Sequence, residues 1–275
     1  MAIAGAPDER LLRHALWRGI RTAGHRSPWR VGLAPENSLA AFALASALGL
    51  RYLETDIRVT RDGHLVCFHD DTLNRVTSST GLVQSRSLDE LGTLRINGVE
   101  PIATFDEALD VFPDQCFTVD IKDQAGIGPL VKSLRRPGVA TRVCIAGAWD
   151  GCLRHVRDEV PGVATALGWR SLTSLLCCAR MGVRPPRSLA TAPFAHVPIT
   201  LGRVPIYVER LVAMSHDIGV RVVTWTVDDP VVMRRLLDAG VDAIITDRPD
   251  VLREVLVSRD QWEPMAARRE APTDH

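Results

Sequence analysis

The 275-residue chain has no surplus of either charge, with 33 Lys and Arg against 33 Asp and Glu. It therefore offers no general basic field to nucleic acid, and any phosphate must be held by a local site. Aromatic residues make up only 5% of the chain. They do not interleave with basic residues as a single-strand platform requires. No nucleic-acid partner is expected. The six cysteines, at 67, 116, 144, 152, 177 and 178, include no CxxC pair. Several sit in apolar runs and read as buried thiols of a reducing compartment, not as disulfides or zinc ligands. No uninterrupted apolar span is long enough to cross a bilayer, and there is no basic amphipathic membrane stretch. Acids interrupt MAIAGAPDERLL, where a secretion signal needs a continuous apolar core. The expectation is a cytoplasmic protein with no stable membrane insertion. Nothing in the sequence specifies an oligomeric state.

What is present is alternation. Short apolar runs read as strands at 20–25, 51–57, 116–121, 142–147, 163–168, 194–198, 221–227 and 242–247. Helical patterns lie between them at 36–49, 104–112, 206–219 and 229–240. Strands alternating with helices indicate a parallel α/β fold, and the length suits one (β/α)₈ TIM barrel. The barrel is expected over 1–258. Residues 70–103 carry Ser, Thr, Gly and Asn without sustained periodicity and read as a small loop insertion after the second strand and its hairpin. A polar tail follows from 259 to 275.

Asp62-Gly63 is a two-residue hairpin signal. Under that loop, Arg58 faces Cys67 and Asp56 faces His69. Glu54 shares the face because strand side chains repeat every two residues. One surface would then carry two acids and an imidazole. An ordinary charged strand pair at a solvated edge is the competing reading, and a one-residue change of register would undo the facing pair.

Barrel enzymes place their chemistry at the C-terminal ends of strands. The residues predicted there are His25 and Arg26, Glu54 and Asp56, Asp120 and Lys122, and Trp225, with His69 delivered by the hairpin. Three carboxylates in one mouth repel one another unless a divalent cation binds or some stay protonated. Oxygen ligands suit Mg²⁺, Ca²⁺ or Mn²⁺. Two imidazoles suit a general acid and a general base near neutrality. Arg26 and Lys122 suit phosphate oxygens. Together these parts describe phosphodiester cleavage.

The segments HR at 25–26, APENSLAAF at 34–42, LETDIRVTRDGHLVCFHDDTLNRVT at 53–77, VDIK at 119–122, VVTWTVDD at 222–229 and GVDAIITDRPD at 240–250 resemble the glycerophosphodiester phosphodiesterase family. The resemblance implies a TIM barrel that hydrolyses glycerophosphodiesters to sn-glycerol 3-phosphate and an alcohol. It implies one divalent cation on Glu54, Asp56 and Asp120, catalysis by His25 and His69, and Trp225 as an apolar wall against glycerol. Three positions depart from the family pattern. Ser27 stands where Gly is usual, Asp120 where Glu is usual, and Ser38 where Thr is usual. None removes a charge or an imidazole.

Other residues read as structural: His14, His64, His155, His196 and His216 as ordinary histidines, and Cys177 with Cys178 as packing. Glu36 and Asn37 divide between helix capping and substrate contact. Thr246-Asp247 reads as the cap of the last helix. The competing functions are phospholipase D-like action on lysophospholipid or sphingomyelin, and a catalytically silent phosphate-ligand binder. The paired acids Glu54 and Asp56 disfavour a metal-independent phospholipase C, which replaces the acid cluster with a cation.

Overall fold

The computed structural model describes residues 16–17, 34–201, 204–205 and 208–262, with side chains described for 34–199 and 208–262. In chain order the elements are β1 (Leu16–Trp17), α1 (Leu39–Ala47), β2 (Tyr52–Val59), β3 (Leu65–Cys67), α2 (Leu88–Gly92), β4 (Arg95–Ile96), β5 (Glu100–Pro101), α3 (Phe105–Val111), β6 (Cys116–Ile121), α4 (Ile127–Leu134), β7 (Val143–Gly147), α5 (Asp150–Glu159), β8 (Ala164–Thr165), α6 (Trp169–Met181), β9 (Phe194–Pro198), β10 (Thr200–Leu201), β11 (Val204–Pro205), α7 (Val208–Asp217), β12 (Arg221–Trp225), α8 (Pro230–Asp238), β13 (Ala243–Thr246) and α9 (Pro249–Ser258). The large sheet runs β8-β7-β6-β2-β1-β13-β12-β9, with β3 added to β2. Its two ends meet through a parallel bridge from Ala166 to Phe194 and a 2.8 Å bond from the Leu167 amide to the Phe194 carbonyl. The fold is a (β/α)₈ TIM barrel. The strand expected at 20–25 lies outside the described residues; the first barrel position is held by the pairs Leu16–Tyr52 and Leu16–Ile245.

Period-two alternation sorts each strand into a helix-facing and an inward side. Leu53, Phe117, Val119, Ile145, Val222 and Ile244 belong to the large core under the helices. Ala146, Ala166, Phe194, Val223, Ala243 and Ile245 form the small interior cluster. The alanines of β7 and β8 leave interior volume on that side. The inward positions of β2 and β6 are polar, and parallel register sets Glu54 beside Thr118 and Asp56 beside Asp120.

The helix boundaries follow local chemistry. The Ser38 side chain accepts from the Ala41 amide and starts α1. Thr104 and Glu107 form a capping box on α3. Asp229 caps α8 ahead of Pro230. Phe42 locks α1 to its neighbours by edge-to-face contacts with Phe112 at 6.0 Å and Phe117 at 5.7 Å.

The hairpin is present, but its loop differs from the expectation. The Thr60 amide bonds the His64 carbonyl at 2.9 Å and the Gly63 amide bonds Thr60 at 3.1 Å, so three residues, Arg61 to Gly63, make the turn. Gly63 supplies the required positive φ of 82°. The extra residue shifts the register by one: Arg58 pairs with Val66 and Ile57 with Cys67. Asp56 therefore sits opposite Phe68, whose amide it accepts at 2.9 Å, and not opposite His69.

The insertion is more than a loop. It carries α2, the β4–β5 pair and its own apolar cluster of Val66, Phe68, Leu73, Val76, Val83, Leu91, Ile96 and Ile102. The cysteine expectation needs one correction. Cys67 and Cys178 are buried free thiols, but Cys177 is exposed. Burial pushes the Cys67 and Cys144 thiols up to about 12.

Candidate active site

A cavity of about 460 Å³ opens at the C-terminal ends of the strands. Glu54, Asp120, Lys122, His69 and Trp225 all line it. Asp56 adjoins them, fully buried. His25 and Arg26 lie outside the described residues.

Asp56 is braced from two sides. Asn37 Nδ2 donates to Asp56 Oδ2 at 3.2 Å, and the Asp56 amide donates to Asn37 Oδ1 at 3.0 Å. The same Oδ1 accepts from Thr55 Oγ1 at 2.7 Å. Asn37 reaches this position with a φ of 56°, in the left-handed region that Asn tolerates. Neither Glu36 nor Asn37 caps α1, because Ser38 does. On the other side Lys122 Nζ lies 2.9 Å from Asp56 Oδ1 and 2.5 Å from Asp120 Oδ2. Lys122 is one of only two lysines in the chain, so a compact point charge stands between two carboxylates in an otherwise arginine-rich protein.

His69 arrives by a different route from the one expected. Leu65 and Cys67 enter the main core, and Val66 and Phe68 enter the insertion core. Regular strand ends at Cys67, so His69 is released from alternation and turns to the cavity. Arg58 Nε holds the His69 carbonyl at 3.0 Å while its Nη1 pairs with Asp123 at 2.7 Å. The imidazole Nδ1 lies 2.6 Å from Asp70 Oδ1. Asp70 is bound in turn by Arg75, which also forks onto Glu36. Burial raises the Asp70 pKa, but hydrogen bonds from Arg75 and His69 outweigh it and leave the carboxyl below its usual range. The bond to Glu36 raises the Arg75 guanidinium.

The opposite wall is apolar: Ala146, Trp149, Leu167, Trp169, Leu172 and Trp225. Asp150, at the start of α5, accepts from the Arg170 and Ser171 amides at the start of α6 at 3.1 and 3.3 Å. The Trp169 amide bonds the Ala148 carbonyl at 3.0 Å. These links bring Trp149 and Trp169 to one rim. A Cβ at Gly168 would lie 2.6 Å from Asp150 Oδ2, so glycine is required for that approach.

His196, read from the sequence as structural, also lines the cavity. Its signal was available, since FAHVP places it on the same side as inward-facing Phe194. Trp149 and Trp169 gave no comparable signal, because each lies in a loop or at a helix start. Asp70 and Arg75 were legible only as members of the motif.

Among the described residues, no three His, Cys, Asp or Glu side chains form a ready metal cage. The donor chemistry nevertheless fits a divalent cation. Glu54, Asp56 and Asp120 supply hard oxygens from adjacent strands, and two of them already share one positive charge through Lys122.

Comparison with protein families matches residues 21–251 to the glycerophosphoryl diester phosphodiesterase family. The chain belongs to this family. That makes it an enzyme of the phosphoric diester hydrolase class. It is 35% identical over 266 residues to the Mycobacterium tuberculosis protein named probable glycerophosphodiester phosphodiesterase 2, covering 96% of this chain and 99% of that one. It is 32% identical over 234 residues to a glycerophosphodiester phosphodiesterase of Caldanaerobacter subterraneus subsp. tengcongensis, covering 79% and 90%. The fold is shared with an Oleispira antarctica phosphodiesterase solved in complex with the product sn-glycerol-3-phosphate, at a TM-score of 0.69 and 22% identity, covering 88% of this chain and 96% of that one.

Proposed function

We propose that this protein hydrolyses glycerophosphodiesters to sn-glycerol 3-phosphate and an alcohol, with a divalent cation and two-histidine acid–base catalysis. The observation that carries this reading is that one cavity is lined by Glu54, Asp120, Lys122 and His69 together in a chain of this family. Glu54, Asp56 and Asp120 would hold Mg²⁺, Ca²⁺ or Mn²⁺, which when bound neutralises phosphate charge.

The chain's own residues supply the rest. Lys122 and Arg26 contribute positive charge to the phosphate oxygens. Trp225 gives the glycerol an apolar wall. With His69 Nδ1–H held by Asp70, Nε2 is the ring nitrogen left to exchange a proton. His25 is the second proton carrier. The substrate's own 2-hydroxyl is tethered beside the phosphorus, so its attack avoids most of the entropy cost of recruiting water. One histidine takes the hydroxyl proton as the new O–P bond forms. The other protonates the departing alcohol as its P–O bond breaks. Water then opens the five-membered cyclic phosphate with the histidine roles reversed.

The experiment is single-turnover cleavage of a glycerophosphodiester and its 2-deoxy analogue at saturation. The analogue should bind and scarcely react; equal rates would point to direct attack by water. His69→Ala should lose at least about a hundredfold in turnover, the ordinary scale for an acid–base group. Retention of near-normal turnover would remove His69 from the mechanism.

A further inference from the structure

Glu36 comes from the segment before α1, whereas Asp70 and Arg75 come from the start of the insertion. Arg75 joins them. Its Nη1 and Nη2 donate to the two Glu36 oxygens at 2.9 and 2.5 Å. Its Nε donates to Asp70 Oδ2 at 2.5 Å and Nη2 reaches Asp70 Oδ1 at 3.2 Å. Asp70 Oδ1 then meets His69 Nδ1 at 2.6 Å.

One end of this relay is buried and the other three members are partly exposed. The Glu36 side chain is 4% exposed, Arg75 24%, Asp70 21% and His69 25%. A buried carboxylate needs a partner of opposite charge, so the Glu36–Arg75 fork is fixed from the inside. A planar guanidinium held at both Nη atoms has its Nε direction set as well. That direction fixes the Asp70 carboxylate plane, which selects the Nδ1–H tautomer of His69 and its ring orientation. The backbone of Arg75 is anchored between Leu73 and Val76, both in the insertion core.

We propose that Arg75 and Glu36 are positioning residues for His69, acting through Asp70, and that the insertion core is the mount that holds this clamp against the barrel. The inference rests on the reading of His69 as a proton-transfer group. Neither Arg75 nor Glu36 lines the cavity among the described residues, so neither is assigned substrate contact.

Two readouts separate positioning from bulk stability. The first is ¹⁵N NMR of the His69 imidazole in Arg75→Gln and Glu36→Gln, compared with the parent and with Asp70→Asn. The parent should show the Nδ1–H tautomer, and both clamp variants should lose it partly, as Asp70→Asn does fully. This readout needs no turnover, so it stands or falls separately from the proposed reaction. The second is the pH–rate profile with a glycerophosphodiester. Arg75→Gln should lower kcat about ten- to a hundredfold, shift the limb belonging to His69 and leave KM within about threefold. The charged and titratable groups around His69 in that profile are Asp70 with Arg75 behind it, Arg58 on its carbonyl, and Glu54, Asp120, Lys122 and His196 across the cavity. The Arg75→Gln/Asp70→Asn double variant should be no slower than Asp70→Asn alone, because both act through one bond. Glu36→Gln keeps shape and an acceptor, and serves if Arg75→Gln does not fold. An unchanged His69 tautomer and pH profile, with only a lower melting temperature, would overturn the proposal.

Discussion

Lys122→Met removes the positive charge between two carboxylates while keeping the side-chain volume. Asp56 is 0% exposed and keeps its Asn37 contact but loses the ammonium 2.9 Å away. Removing one partner of a buried pair costs about 3–5 kcal/mol. The Asp120 half is 29% exposed, and exposed pairs contribute only about 0–1 kcal/mol. Because Lys122 itself is 20% exposed, water reaches part of the site and discounts the buried figure, leaving a net loss of about 2–4 kcal/mol. In a barrel of this size each kcal/mol moves Tm by about 2–4 °C, so Tm in chelator should fall by roughly 5–15 °C. A divalent cation on the same carboxylates restores the missing charge. Added Mg²⁺, Ca²⁺ or Mn²⁺ should therefore raise Tm more in Lys122→Met than in the parent. Lys132→Met, at the exposed lysine of α4, is the control and should stay within about 0.5 kcal/mol. Differential scanning fluorimetry in chelator and across a cation titration measures all three. A Lys122→Met protein with parental Tm in chelator, or with the parental cation response, would refute the shared-charge reasoning.

Asn37→Ala removes three buried hydrogen bonds around Asp56 and Thr55 and should cost about 2–4 kcal/mol in urea unfolding; a loss below about 0.5 kcal/mol would contradict the brace. Asp70 lies below its usual range because Arg75 and His69 outweigh the effect of burial, so its stabilisation is complete above about pH 4 and disappears as pH falls through the lower folded value. The stability gap between the parent and Asp70→Asn should thus narrow as pH falls below about 4 and Asp70 takes up its proton; a gap that keeps its full size down to about pH 2 contradicts the assignment. Trp169, 46% exposed on the cavity rim, should matter for the alcohol: Trp169→Ala is expected to lower kcat/KM about 5- to 30-fold for substrates with a bulky apolar alcohol, the worth of about 1–2 kcal/mol of burial, with little change for small polar ones.

The barrel was legible because alternation and helix caps are local signals. Ser38, Thr104 and Asp229 begin helices in places their neighbours announce. The hairpin was legible as a turn but not in register, because Asp62-Gly63 also suits a three-residue loop once Thr60 bonds His64. His69 still faces the cavity only because the strand ends at Cys67, which no pairing rule announces. His196 shares the inward register of Phe194, but a lone imidazole in an apolar run has no charged neighbour to mark it as part of a site. The Glu36–Arg75 fork joins residues 39 positions apart, and only tertiary packing reveals that Glu36 serves Arg75 and not the helix. Cys177 departs from the packing expectation because Leu175, Cys178 and Ala179 take the buried face of α6 and it does not.

The central claim is the bond that breaks. ³¹P NMR of purified protein with glycerophosphocholine and Mg²⁺, Ca²⁺ or Mn²⁺ reads it directly. The account predicts a resonance of sn-glycerol 3-phosphate with equimolar choline, lost on chelation and in His69→Ala. Phosphocholine with free glycerol, or turnover that survives verified metal removal, would contradict it.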